Sequence, residues 1–261
     1  MIKKLYKYDI KKMSRVLIWF YVLSLSFAVV ARLVNIGKHI QSIMIIGKIL
    51  EGFTYSAIAN VLINTVIHIL NAFIKGFYRD ESYLTHTLPV TKNQLFVSKF
   101  LAAITIIIAS VLVSVASILI LFASKDFFTQ IKALLAMVVD GFNMNGGLFL
   151  FIIVFLILIE IICMMTMSFT AIIKGNTYNS KRVIKGVIWF FIYYMGATMI
   201  NLSIIAIVFA ITGNISELLA SVMSAKSFVV ILVVSLIAYV GFTVFNYILA
   251  NKLFNRGVNV D

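Results

Sequence analysis

Glu160, His68 and a ladder of amides are the residues whose types and spacing could do chemistry in this chain. Glu160 is the acidic residue inside a long apolar run, FLILIEIICMM. A carboxyl in hydrocarbon is costly unless it protonates, pairs or meets a cation, so such a residue points to function by default. Helical spacing puts Met164 and Met167 on its face, with Cys163 at the edge. Methionine adapts to varied apolar shapes, so this face suits a cationic, amphipathic cargo. The alternative is a buried carboxyl bonded to Asn201 or to the amide ladder. That ladder is Ser56, Asn60, Asn64, His68 and Asn71. At about 100° per residue the five fall on an arc of about 120°. Polar side chains in hydrocarbon need protein or water. The stripe is therefore expected to bond neighbouring helices, or to form the wall of a translocation path or a subunit seam. His68 and Glu160 together are also the residues an ion-coupled carrier would use as proton sites.

Other chemistry is missing. The chain has no G-x-x-x-x-G-K-[ST] phosphate loop, no H-E-x-x-H and no G-x-S-x-G. Its three histidines, His39, His68 and His86, stand in different regions, so neither a metal site nor catalytic residues are expected. Cys163 is the lone cysteine and has no disulfide partner in the chain.

The elements that must position these residues are membrane spans. Of the 261 residues, 62% are hydrophobic and 12% charged, against about 45–50% and about 25% in soluble domains. Six apolar runs reach the roughly 20 residues a helix needs to cross a bilayer: Val16–Val34, Phe53–Ile74, Phe100–Phe122, Leu148–Ile173, Val187–Ile211 and Phe228–Ala250. The expected fold is all-α and polytopic, one transmembrane domain over 1–261 with no nucleotide-binding domain. Of the 22 Lys and Arg, 16 flank the side that holds both termini and 6 the other. Positive charge favours the cytoplasm, so both termini and the 75–99 loop are expected there. The net charge of +13 is thus a topology and anionic-lipid signal, with no nucleic-acid partner implied.

Residues 1–15 alternate Ile2, Leu5, Tyr6, Ile10 and Met13 with lysines at helical spacing. That pattern predicts an amphipathic helix lying in the headgroup plane. Similar spacing predicts a short interfacial or re-entrant helix within 123–147 and a shorter version within 212–227. Ile40–Leu50 reads as an outward extension of the second span. In the third span Ala103, Ser110, Ser114 and Ser117 form a small-residue face suited to close packing.

The 75–99 loop contains FYRDESYLTHTLPVTK and then NQLFVSK. Its acidic pair Asp80 and Glu81, then Tyr83-Leu84, Leu88-Pro89-Val90, Thr91, Lys92 and Ser98-Lys99 resemble the first cytoplasmic loop of small six-span permeases of the bacterial type-two ABC-transporter family. The resemblance extends to span number, topology and the basic N-terminal helix. It implies that the loop is a coupling helix seated on a separate ATPase subunit. Tyr78, Tyr83, Leu84 and Leu88 would be apolar anchors and Arg79, Asp80 and Glu81 would set register, while Pro89 would stop the helix and Val90 belong to the same coupling segment. Lys92 and Lys99 are expected at the inner headgroups.

The family also implies partners: two ATPase copies that bind ATP and Mg, and a second permease copy, identical or homologous. This chain itself would bind no cofactor. The expected role is the permease subunit of an exporter in a bacterial plasma membrane. Its cargo would be an amphipathic peptide toxin, an antimicrobial peptide or a hydrophobic drug, as in family members that export phenol-soluble modulins or give lantibiotic immunity. A non-transporting scaffold or sensor subunit is the rival from another class.

Overall fold

The computed structural model describes residues 2–36, 41–79, 81–82, 87, 89–122, 129–130, 132–133, 135–136, 145–212 and 225–256. Among them are six helices long and apolar enough to cross a bilayer. They are α1 (Ile2–Ile36), α2 (Gln41–Tyr78), α3 (Lys92–Phe122), α4 (Gly146–Gly175), α5 (Arg182–Ile211) and α6 (Ala225–Arg256). Each contains one of the six apolar runs. This is a multi-pass, helical membrane protein.

The N-terminal region departs from expectation. Residues 2–36 form one unbroken helix of 35 residues, about 52 Å long against a hydrocarbon core of about 30 Å. The amphipathic segment is therefore the end of the first span and not a separate helix lying beside it. No glycine or proline interrupts Ile2–Ile36, so nothing forces a bend. Its buried face, Asp9, Met13 and Leu17, continues directly into Ser24, Ala28 and Ala31 of the span. On α2, helix begins at Gln41, so nearly all of Ile40–Leu50 does extend the second span.

The chain divides into two compact units, Met1–Ile131 and Lys132–Asp261, each holding three of the helices. In the first, α1 packs on both α2 and α3. The small-residue face of α3 makes this closeness possible, because Ala103, Ser110, Ser114 and Ser117 are all buried. Hydroxyls fill the seam: Ser24 and Ser117 lie 2.9 Å apart, Tyr21 and Ser110 2.7 Å, and Thr65 and Ser110 2.6 Å. In hydrocarbon such bonds join helices without leaving a polar group unsatisfied.

In the second unit α4 packs on α5 and α6. The Asn145 side chain caps α4 by accepting from the Gly147 N–H at 2.9 Å. The turn from α4 to α5 is tight. A Cβ on Gly175 would stand 2.6 Å from the Gly186 backbone nitrogen, so only glycine lets the two helices approach. Lys181 completes the turn in the left-handed region, with φ 53°.

The interfacial helices expected within 123–147 and 212–227 lie largely outside the described residues, as do Asp80, Tyr83, Leu84 and Leu88 of the expected coupling helix.

Candidate functional site

The end of the first unit where α2 gives way to α3 holds an ionic cluster built from three elements. Lys99, in the second turn of α3, donates to Asp9 Oδ1 of α1 at 3.0 Å. The neighbouring Ser98 hydroxyl donates to Asp9 Oδ2 at 3.1 Å. Asp9 is 5% exposed and Lys99 7%. The ammonium also sits 5.2 Å over the Phe77 ring of α2, a favourable place for a cation. Space for it comes from Gly76, where a Cβ would stand 2.7 Å from Nζ. The headgroup position expected for Lys99 is thus wrong. A carboxylate on α1 and a missing side chain on α2 draw it inside, while Lys92 remains exposed.

An aromatic cluster seals this end. Phe73 meets Phe77 edge-on at 4.9 Å and Phe96 at 6.3 Å between ring centroids. Tyr78 joins it and is buried, so it braces the end of α2 and does not stand out as an anchor for another protein. Beyond it the chain turns, with the Ser82 N–H donating to the Arg79 carbonyl at 2.7 Å. Glu81 forms an ion pair with Lys12 of α1, while Arg79 and Pro89 are exposed and Val90 partly so. A reciprocal capping box then starts α3: Gln94 N–H donates to Thr91 Oγ1 and Thr91 N–H to Gln94 Oε1, both at 3.3 Å. The loop is therefore tied to α1 twice, directly through Glu81 and Lys12, and through the first turns of α3 by way of Asp9.

Sequence reading missed Asp9 and the capping box. Their signals are the single acid among the six basic residues of 1–15, and the T-x-x-Q spacing of 91–94.

The polar stripe of α2 turns away from α1 and α3. Thr54, Ala57, Val61, Thr65 and Ile69 form the buried face, whereas Ser56, Asn60 and Asn71 are exposed and Asn64 and His68 partly so. Asn60 and Asn64 donate to the carbonyls of Ser56 and Asn60, four residues back on their own helix, at 3.0 and 2.9 Å. Interhelical bonding inside this unit is accordingly not what the stripe does.

Compared with known protein families, curated proteins and solved structures, the chain matches none.

In the second unit the methionine face divides. Glu160 is exposed. Met164, one turn on, is 40% exposed. Met167 is buried in a core with Cys163 and Ala197, against Phe190 and Phe242. The expected three-residue face is thus Glu160 and Met164 alone, because α5 and α6 pack on α4 and bury most of its C-terminal part. Asn201 does not bond Glu160 either. It is buried and reaches Ser235 of α6 at 3.5 Å.

Proposed function

We propose that this chain is the membrane permease subunit of an ATP-driven exporter of the type-two ABC kind. It would sit in a bacterial plasma membrane with both termini cytoplasmic, and work with a second permease copy and two ATPase subunits. The chief support is the double tethering of the loop between α2 and α3. A loop held by Lys12 and by the buried Asp9–Lys99 pair can pass a push from an ATPase to α1 and α3 without merely bending. Arg79, Glu81, Thr87, Pro89, Val90 and Thr91 are the described loop residues that reach the surface, and Asp80, Tyr83, Leu84 and Leu88 complete the expected docking segment.

The α2 stripe supports transport. Five polar side chains facing away from their own unit need water or protein in hydrocarbon, which a translocation path or a subunit seam supplies. Exposed Glu160 and Met164 fit a cationic, apolar cargo such as an amphipathic peptide. ATP and Mg would be bound by the partner alone, and the chain itself would catalyse nothing.

Purification from the native membrane in mild detergent tests the reading. A co-purifying ATPase whose turnover rises with added amphipathic peptide is the expected result. A kinase or other regulator in its place, with no ATPase, would overturn it in favour of a scaffold.

A further inference from the structure

The α5–α6 face of the second unit carries an open groove of about 480 Å³, within the range of small-molecule sites. Gly196 of α5 and Gly241 of α6 line it, and a Cβ at either would meet no atom within 4 Å. Glycine inside a helix is destabilising relative to alanine, and here neither glycine is needed for a close helix approach. What they provide is the groove itself.

Its walls are mostly apolar, with Ile192, Ile200, Phe242 and Phe245 among them, and Tyr193 and Asn246 carry the polar side-chain atoms of the lining. Asn246 is 3% exposed. Its Nδ2 donates to the Phe242 carbonyl at 2.8 Å, which identifies the other terminal atom as oxygen. That Oδ1 is buried and, among the described residues, has no hydrogen-bond partner. Buried acceptors are nearly always satisfied in folded proteins, and in hydrocarbon no bulk water can stand in.

We propose that the groove binds a single-chain amphiphile whose hydroxyl or amide N–H donates to Asn246 Oδ1, with its hydrocarbon lying along Gly196 and Gly241. Oδ1 is itself buried, so the ligand reaches it as a lining side chain moves aside; Ile192, Ile200 and Phe245 are the exposed lining residues that leave room for such a movement. A second apolar helix packed on the same face would leave the acceptor buried and unpaired, so a donor-bearing ligand satisfies the site better. The groove would bind such a molecule whether or not the chain transports anything.

The test uses the full chain in lipid nanodiscs, labelled with a diazirine-bearing twelve-carbon alcohol and mapped by mass spectrometry. Labelling should fall on α5 and α6 around Gly196 and Gly241. Dodecanol should compete about ten-fold better than its methyl ether, which lacks the donor, as one added hydrogen bond implies. Asn246→Leu should erase that preference while labelling persists, and Gly241→Leu or Gly196→Leu should abolish labelling by filling the groove. Equal competition by alcohol and ether in the unaltered protein would overturn the proposal. So would labelling that survives whichever glycine variant folds, or a change of oligomeric state on filling the groove, which would make this face a contact between copies.

Discussion

Lys99 of α3 and Asp9 of α1 form an ion pair at 3.0 Å whose side chains are 9% and 7% exposed. Removing one partner of such a pair strands the other charge, which costs more than the pair itself contributes. Asp9→Ala should therefore destabilise the protein by about 3–5 kcal/mol. Asp9→Leu combined with Lys99→Met should recover most of that. Thermal unfolding midpoints in one detergent compare the variants, and a double variant as unstable as the single would deny the pair this role.

Two glycines on α2 should respond in opposite directions to the same change. At Gly76 a new Cβ would stand 2.7 Å from Lys99 Nζ, so Gly76→Ala must displace the buried ammonium, at about 1–3 kcal/mol. At Gly52 a Cβ meets nothing within 4 Å. There alanine should add up to about 1 kcal/mol by helix propensity. The same unfolding measurement separates them.

The turn between α4 and α5 makes a third case. Lys181 holds φ 53°, a conformation that costs a side-chain-bearing residue about 1–2 kcal/mol and glycine almost nothing. Lys181→Gly should raise the unfolding midpoint. Gly175→Ala, driving a methyl into the Gly186 backbone, should lower it. A lower midpoint for Lys181→Gly would mean the lysine side chain holds the turn.

If the loop passes force to α1, the Lys12–Glu81 pair should matter to transport more than to stability. Both side chains are about a third exposed, 30% and 38%, so breaking the pair should cost under about 1 kcal/mol. Glu81→Lys should nonetheless uncouple ATP hydrolysis from export in vesicles. Adding Lys12→Glu should restore coupling. Normal coupling in Glu81→Lys alone would place the force path elsewhere.

The α2 stripe can be tested by making it apolar. Asn60→Leu with Asn64→Leu touches no packed face of its own unit, so unfolding should change little while export falls at least several-fold. Full export with both replacements would remove the stripe from the path.

Much of the fold was legible because membrane spans obey one-dimensional rules. Length and apolarity suffice to mark six helices, since hydrocarbon forces every backbone polar group to bond within its own helix. The polar arc of α2 and the small face of α3 were equally plain, because helical period maps sequence onto faces. Which neighbour covers a face has no such local rule. The α2 stripe is uncovered in its own unit, Met167 is buried while Met164 is not, and Tyr78 turns inward, each according to where other helices lie. Lys99 is the sharpest instance. Its sequence context reads as a headgroup lysine, and only Asp9, ninety residues away in sequence, with the space left by Gly76, makes burial affordable. A charge enters a low-dielectric interior only when a partner and room for it are already in place, and both are properties of the packed bundle and not of the segment that carries the charge.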